Sequence, residues 1–275
     1  MQIRKAARRV AKMKLGISGP AGSGKTMSGL KLAFGLCGDW EKICVIDSEH
    51  GSADLYSDLG NYNVISLKDF SPENYIKAMD LCEKSGIAVI IIDSTSHEWE
   101  YCIDYHSSLQ GNSFTNWSKV TPRHDSFRNR IMRSPCHIIT TTRRKQDYVI
   151  NSSNGKNTVE KLGTKEVQRD GWEYDLTLNF ELNMSHMAIA SKDRTQMFSD
   201  ALPFVITEET GKKIQEWCSS GAAEEENLIE EAIIEINNAN SIAELTSIYN
   251  SYPSLVTDQD FIKSLTLKKE NLQNK

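Results

Sequence analysis

Long apolar runs are missing from the sequence, and no stretch reaches the roughly 18 apolar residues that a membrane-spanning helix needs. Residues 1–14 are basic, but no apolar signal core follows them, so we do not expect secretion. A transit peptide is an alternative interpretation of this basic segment, although the segment contains no serine. We therefore expect a cytoplasmic protein that does not contact a membrane.

Paired cysteines are missing as well. The six cysteines are scattered along the chain, and no two of them form a C-x-x-C motif. This pattern favours reduced, buried thiols over disulfide bonds. Zinc sites are conceivable where Cys102 lies four residues before His106 and where Cys136 precedes His137. Because the paired-ligand spacing of zinc modules is missing, ordinary core and surface residues are the favoured interpretation.

The net charge of −5 conceals an uneven distribution of charge along the 275 residues. Residues 1–14 contain six basic residues and no acid, and residues 119–145 contain eight basic residues and one acid. Residues 222–275 contain ten acids and four lysines. Two basic stretches allow a protein of negative net charge to bind polyanions.

Short apolar segments alternate with segments of helical periodicity. Two helices are predicted, at residues 27–37 and 74–83. The predicted strands are at residues 14–18, 43–46, 87–92, 137–142, 174–182 and 187–190. Apolar runs without polar alternation are typical of parallel strands that are covered on both faces. The alternation predicts an α/β fold with a mainly parallel sheet.

The C-terminal part of the sequence has a different character. Apolar residues recur at helical spacing over residues 228–236, Ser241 and Glu244 form a capping box, and a further helix is predicted at 257–267. The sequence thus predicts three domains or segments. They are a basic N-terminal arm (residues 1–13), an α/β core (14–217) and a small acidic helical module (222–275).

A glycine-rich motif lies between the first predicted strand and the first predicted helix. The segment GPAGSGKT fits G-x-x-x-x-G-K-[ST], and its position after a strand and before a helix is typical of a phosphate-binding loop. Its backbone N–H groups can surround a phosphate, and the helix N-terminus adds positive potential. The alternative is a glycine-rich turn without a nucleotide. The predicted nucleotide-binding residues are Gly19, Pro20, Ala21, Gly22, Ser23, Gly24, Lys25, Thr26 and Met27.

Acidic residues follow two of the predicted strands. Asp93 ends the strand at 87–92 and can hold Mg²⁺ together with the Thr26 hydroxyl, the alternative being a helix cap. Asp47 and Glu49 follow the strand at 43–46, where the carboxyl ends of parallel strands line a ligand crevice. Glu49 is long enough to activate water, whereas Asp47 suits a structural role or a contact to Mg²⁺-bound water. A plain loop acid is the alternative for Glu49.

The order of these motifs, a P-loop followed by VIDSEH and then by IIIDS, resembles the RecA-like ATPase core. The chain is also similar to phage-encoded RecA-like ATPases of the Sak-type single-strand annealing group, through its basic lead-in, its HIITTTR segment and its late Lys-Asp-Arg. The resemblance covers about residues 1–217. It implies that Glu49 matches the catalytic glutamate and that Asp93 matches the Walker B aspartate.

The resemblance implies further properties of the chain. We expect a RecA-like P-loop NTPase core, weak Mg²⁺-dependent ATP hydrolysis assisted by Lys25, and a homo-oligomer with ATP at the subunit interfaces. The implied partners are single-stranded DNA and a single-strand-binding or replication protein. The implied setting is recombination in the cytoplasm of a phage's bacterial host.

The sequence departs from RecA at the end of the fourth strand. RecA has a glutamine there that senses the γ-phosphate, whereas this chain has Thr140-Thr-Thr-Arg-Arg144, so Thr142 or Arg143 is the candidate sensor. By resemblance, Lys192 and Arg194 serve the ATP of a neighbouring subunit, where cations stabilise the transferring phosphoryl group. The alternative is that both are solvated surface charges.

Two segments are candidates for DNA binding. Residues 145–171 are polar and match the position of a flexible single-strand-binding loop. Residues 112–133 combine arginines with Phe114, Trp117 and Phe127, and aromatic rings and cations suit bases and phosphates. A basic helix that packs on acidic neighbours is the alternative. Two other functions stay open, a switch or loader ATPase that acts on a protein without DNA, and a P-loop kinase.

Overall fold

The computed structural model describes residues 10–153, 156–220 and 224–273 of the chain. Internal contacts divide it into two compact units, one of residues 12–217 and one that contains Ala11 and the residues from Cys218 onward. Most of the expected basic arm, residues 1–9, lies outside the described residues. Each unit is described by itself.

The larger unit is built on one sheet. Its described strands are β1 (Lys14–Gly19), β2 (Ile43–Asp47), β3 (Asn63–Ser66), β4 (Val89–Asp93), β5 (His137–Ser153), β6 (Lys156–Glu166), β7 (Leu178–Leu182), β8 (Met187–Asp193) and β9 (Phe204–Val205). Their order is β3-β2-β4-β5-β1-β7-β8-β9, and β6 pairs with β5 outside this path. The pairs from β3 to β7 are parallel, whereas β6, β8 and β9 pair in antiparallel fashion. The predicted mainly parallel α/β fold is confirmed.

Helices cover both faces of this sheet. They are α1 (Lys25–Cys37), α2 (Pro72–Lys84), α3 (Thr95–Ser108), α4 (Ser113–Arg133) and α5 (Glu208–Ser219). On one face, Gly29 of α1 approaches Ile91 so closely that an added Cβ would lie 3.6 Å from its Cγ2. On the other face, Ile90 and Ile92 share an apolar cluster with residues of α2 and α4. Because β4 is covered on both sides, its run of apolar residues is continuous.

Phe127 is the largest side chain that α4 contributes to this cluster. Its ring lies 5.2 Å from that of Tyr75 and 6.1 Å from that of Trp172, measured between centroids. Full burial of such an aromatic side chain contributes about 1.5–3 kcal/mol. Phe127 therefore fixes α4 to the sheet, and the prediction that it stacks on DNA bases was wrong.

The structure differs from the sequence-based expectation in two other segments. Residues 145–153 of β5 pair in antiparallel fashion with residues 156–165 of β6, within a segment expected to be a loop. This strand pair is here called the β5–β6 hairpin. Residues 172–174 form a 3₁₀ turn, so the strand predicted from residue 174 begins only at Leu178.

The two Cys–His pairs considered as zinc sites do not form such sites. His106 stacks on Trp117 with ring centroids 4.1 Å apart. Nδ1 of His137 accepts a hydrogen bond from the Met13 N–H group (3.1 Å), and the Cys136 thiol donates to the Ile87 carbonyl (2.9 Å). These contacts give the residues structural roles that need no zinc between the members of either pair.

The smaller unit contains α6 (Glu224–Asn238), α7 (Ile242–Ser251) and α8 (Gln259–Gln273). Its core includes Ile236, Leu245 and Phe261. The Ser241 hydroxyl caps α7 by accepting from the Glu244 N–H group (3.2 Å). The C-terminal helices predicted from the sequence are thus present. Among the described residues, no helix has both the length and the apolar character that membrane crossing requires.

Candidate nucleotide site

The glycine-rich loop connects the end of β1 to the start of α1. Gly24 has a φ of 85°, and an added Cβ would lie 3.1 Å from Nδ1 of His186. At Gly19 an added Cβ would lie 2.5 Å from the Ser23 hydroxyl oxygen. Both positions therefore require glycine. The resulting tight loop directs the N-terminus of α1 toward the end of the sheet, which is the arrangement that binds phosphates.

Lys25 lies across this loop. Its Nζ donates to the carbonyls of Gly19 (3.1 Å) and Pro20 (2.9 Å). Burial lowers the pKa of Lys25 below its ordinary value, while the charges of Asp93 and Glu49 act in the opposite direction. The lysine therefore lies between the loop and the two acids that were predicted to serve catalysis.

Asp93 is at the centre of the site and is 2% exposed. Its Oδ2 accepts from the Thr26 hydroxyl (2.6 Å), and its Oδ1 accepts from the Thr141 hydroxyl (2.5 Å). Burial raises the pKa of Asp93, and the two hydroxyl donors only partly offset that effect. The adjacent oxygens of Thr26 and Asp93 are ligands of the type that Mg²⁺ prefers, so these residues fit the predicted metal site. Both carboxylate oxygens are used by hydroxyls, and the helix-cap alternative has no support here.

Asp47 and Glu49 have different surroundings. Asp47 is buried, and its Oδ1 accepts from the Glu49 N–H group (2.5 Å), which supports a structural role in this turn. Glu49 accepts from the Ser94 hydroxyl (3.0 Å) and from two nitrogens of Arg143, Nε at 2.9 Å and Nη2. Burial alone would raise the pKa of Glu49, but Arg143 outweighs it and holds the pKa below its ordinary value.

Three residues of β5, where its parallel pairing with β1 and β4 ends, complete this geometry. Thr141 contacts Asp93, Arg143 contacts Glu49, and the Thr142 hydroxyl lies 3.2 Å from that of Thr95. Of the two candidate sensors, Arg143 is the one that faces the acidic end of β2. The contact of Thr141 was not predicted, although alternation along a strand places residues 141 and 143 on one side.

A family model described as an AAA domain, AAA_24, matches residues 11–218. The chain belongs to this AAA domain family. The match includes the P-loop, Glu49 and Asp93, and it agrees with a P-loop ATPase that binds and hydrolyses ATP. No curated protein matches the chain.

A cavity of about 440 Å³ lies beside the P-loop of the AAA domain. Its lining includes Gly24, Thr26, Met27, Tyr56 and His186. It offers room for the nucleoside part of a nucleotide next to the phosphate site. Sequence reasoning missed two of these residues. Tyr56 lies in a 3₁₀ segment after β2, and His186 lies in the turn between β7 and β8, where no motif marks it.

Lys192 and Arg194 lie away from the P-loop of their own AAA domain. Lys192 is opposite Asn179 near the start of β7, whereas the P-loop follows the far end of the parallel neighbour β1. Nζ of Lys192 and Nη2 of Arg194 both donate to the Tyr174 carbonyl, at 2.5 and 2.7 Å. Both side chains thus contact the segment before β7, and their role in a neighbouring subunit stays a prediction.

The two segments expected to bind DNA come together in the AAA domain. A groove of about 720 Å³, here called the aromatic groove, lies between α3, α4 and the β5–β6 hairpin with the residues that follow it. Its lining includes Trp99, Phe114, Trp117, Lys145, Lys165 and Arg169. Phe114 is 86% exposed, and the rings of Trp99 and Trp117 stack with centroids 5.9 Å apart. Trp99 is only partly buried at this surface.

Several arginines of α4 have local partners. Arg123 pairs with Glu73, Arg130 with Asp80 and Glu83, and Arg128 with Asp175. These pairs match the alternative of a basic helix that packs on acidic neighbours. Much of the positive charge expected from α4 is thus paired inside the unit. The cations of the aromatic groove come from the β5–β6 hairpin region, where Lys165 pairs with Asp170 and Arg169 with Asp125.

Proposed function

We propose that the protein is an Mg²⁺-dependent ATPase that binds single-stranded DNA in the aromatic groove and promotes annealing or strand pairing in phage-type recombination. The observation that carries the DNA-binding part is the groove, where aromatic rings of two helices face cations of the hairpin region. This combination suits a flexible strand, because bases stack on aromatic rings while cations hold phosphates. The resemblance to Sak-type annealing ATPases supports the same function.

The residues of the nucleotide site divide the work of hydrolysis. P-loop amides and Lys25 hold the phosphates, and Thr26 and Asp93 hold Mg²⁺. When bound, the cation neutralises charge that develops on the transferring phosphoryl group. Glu49 accepts the proton of the attacking water through Oε2, since Ser94 and Nε of Arg143 both donate to Oε1. The guanidinium of Arg143 beside it can stabilise developing negative charge.

Oligomerisation is the second part of the proposal. Lys192 and Arg194 lie too far from their own P-loop to serve it, which suits residues that act on the ATP of a neighbouring subunit. Mixing a Lys192→Ala or Arg194→Ala variant with Lys25→Ala should restore part of the turnover in mixed oligomers. Absence of any complementation would argue against shared sites. A single-strand-binding or replication protein is the further partner we propose.

The main experiment measures ATP turnover and single-stranded DNA binding on the same preparations. Wild type should hydrolyse ATP, and DNA should stimulate it, while Lys25→Ala should lose turnover under both conditions. Phe114→Ala and Trp117→Ala should each weaken DNA binding by about 1–3 kcal/mol, because each removes one stacking ring. Tyr249→Ala is the matched control, since it removes a partly exposed ring of α7 outside the groove.

The outcomes separate the parts of the proposal. Equal DNA affinity of wild type and a Phe114→Ala/Trp117→Ala double variant would reject the groove as the binding site. DNA affinity that does not fall with salt would reject phosphate recognition altogether. Turnover without DNA binding would leave the ATPase assignment standing alone.

A switch or loader ATPase that acts on a protein partner is the second candidate function. It is favoured by the local pairing of the α4 arginines, which removes part of the charge available to a polyanion. Turnover that is indifferent to DNA, combined with nucleotide-dependent binding of a protein, would support this alternative.

A further inference from the structure

A second cluster of chemically active side chains lies between α3 and α4, outside the nucleotide site. Glu98 and Cys102 are one helical turn apart on α3, and His124 faces them from α4. The three residues are 0%, 1% and 0% exposed, respectively. Their ligand-type atoms, one nitrogen, one sulfur and one carboxylate oxygen, all lie within 4.8 Å of one another.

The contacts inside the cluster are short. Nδ1 of His124 lies 3.1 and 3.0 Å from the two carboxylate oxygens of Glu98. Sγ of Cys102 lies 3.2 Å from Oε1 of Glu98. In a tetrahedral zinc site with bonds of roughly 2.0–2.3 Å, the ligand atoms are separated by about 3.3–3.6 Å. The separations from Glu98 differ from these values by only a few tenths of an ångström, so small adjustments would make room for an ion.

Charge and hydrogen bonding inside the cluster do not balance by themselves. Nε2 of His124 is buried and has no hydrogen-bond partner among the described residues. A doubly protonated imidazole would thus bury a charged N–H group without an acceptor, at considerable cost. A neutral imidazole would instead leave the Glu98 carboxylate buried without a positive partner in the cluster. A divalent cation bound through Nδ1 would place positive charge beside the Glu98 carboxylate and keep the imidazole neutral, so that the N–H group buried at Nε2 carries no charge.

We propose that Glu98, Cys102 and His124 bind a divalent transition metal of the zinc class. Nitrogen and sulfur donors select this class, whereas the oxygen donors Thr26 and Asp93 suit Mg²⁺, so the two sites differ in chemistry. Three protein ligands leave a fourth position for a water molecule. The inference does not depend on the DNA-binding proposal.

The position of the cluster gives the metal a structural consequence. The ring of His124 lies 5.1 Å from that of Trp99, which lines the aromatic groove and stacks on Trp117. A metal that joins α3 to α4 would therefore hold together the two helices that contribute the rings of the aromatic groove. Removing the metal should weaken the packing of α3 against α4 at the aromatic groove, while the P-loop keeps its structure.

The test uses the full chain, stripped with a chelator and titrated with Co²⁺. One Co²⁺ per chain should bind and produce a thiolate-to-cobalt charge-transfer band, and the thermal midpoint should rise. Cys102→Ser should lose the band, and His124→Gln and Glu98→Gln should lose the bound equivalent. Cys82→Ser, a buried cysteine of the α2 cluster, and Lys25→Ala, in the nucleotide site, are the controls that should keep both.

Elemental analysis of the purified chain should find the same metal equivalent in wild type and in the controls. If His124→Gln does not fold, the nearly isosteric Cys102→Ser variant decides through the band. Absence of a band in wild type, or a band that survives Cys102→Ser, would overturn the site and leave a buried hydrogen-bonded cluster.

Discussion

The nucleotide site and the aromatic groove are built in opposite ways. In the nucleotide site, backbone groups of one loop converge with side chains at the ends of β1, β2 and β4 and with side chains from the first part of β5. Asp93, for example, accepts hydrogen bonds from Thr26 of α1 and from Thr141 of β5. The groove instead presents exposed rings and cations from two helices and a hairpin.

This difference sets what each site can tolerate. Buried polar groups must keep their partners, so a single change in the nucleotide site leaves another group unpaired. Exposed aromatic residues such as Phe114 have few partners to lose, and their replacement should affect binding more than folding. Single substitutions in the nucleotide site should therefore greatly reduce ATP turnover. Single substitutions in the aromatic groove should each lower the affinity for DNA by a smaller amount.

Glu49→Gln should show the largest effect. The amide retains the shape of the carboxylate but cannot accept the proton of water, so turnover should fall about 10²–10⁴-fold while ATP still binds. Steady-state turnover and nucleotide affinity are measured together, with the exposed neighbour Asp54→Asn as the control. Turnover at the wild-type rate would undo the assignment of Glu49 and leave the P-loop untouched.

The next effect separates two phenylalanines of α4. Phe127→Ala should destabilise the protein by about 3–5 kcal/mol, because it opens a cavity between the helix and the sheet. Phe114→Ala should change stability by no more than about 0.5 kcal/mol, since the ring is exposed. Denaturant unfolding of the two variants provides the comparison. Equal destabilisation would mean that Phe114 packs against the protein and does not face a ligand.

The residues of the nucleotide site were easier to predict from the sequence than the aromatic groove. The P-loop, Asp93 and Glu49 could be located because each lies directly after an apolar strand, and parallel strands place their ends at one edge. Asp47 was left between two roles, and its contact with the Glu49 N–H group favours the structural one. Local order along the chain was sufficient for these residues.

The groove could be predicted only as two segments. Nothing in the sequence shows that Phe114 faces solvent while Phe127, on the same helix, is buried, because the amphipathic face depends on which neighbours cover α4. The pairing of Arg123 with Glu73 joins residues 50 positions apart and is equally invisible before folding. The cluster of Glu98, Cys102 and His124 was missed because proximity of Cys102 to His106 along the chain suggested a different partner.

Arg143→Gln should have a smaller effect, and it should depend on pH. Arg143 holds the pKa of Glu49 below its ordinary value, so Glu49 stays available as a base when the pH falls. Without the guanidinium, burial raises that pKa, and the acidic limb of the turnover profile should move to higher pH. Arg133→Gln, at the exposed end of α4, is the matched control. An unchanged acidic limb would show that Arg143 does not act through Glu49.

The smallest expected effect concerns one exposed cation of the groove. If Lys145 contacts a phosphate, Lys145→Gln should weaken DNA binding for all sequences and reduce the slope of log affinity against log salt by about 1. The slope is measured by titration at several salt concentrations, with Lys263→Gln in α8 as the control for a lost surface charge. A slope that stays at the wild-type value would place the DNA backbone elsewhere. The phosphate contacts that set the slope would then be made by other cations of the protein.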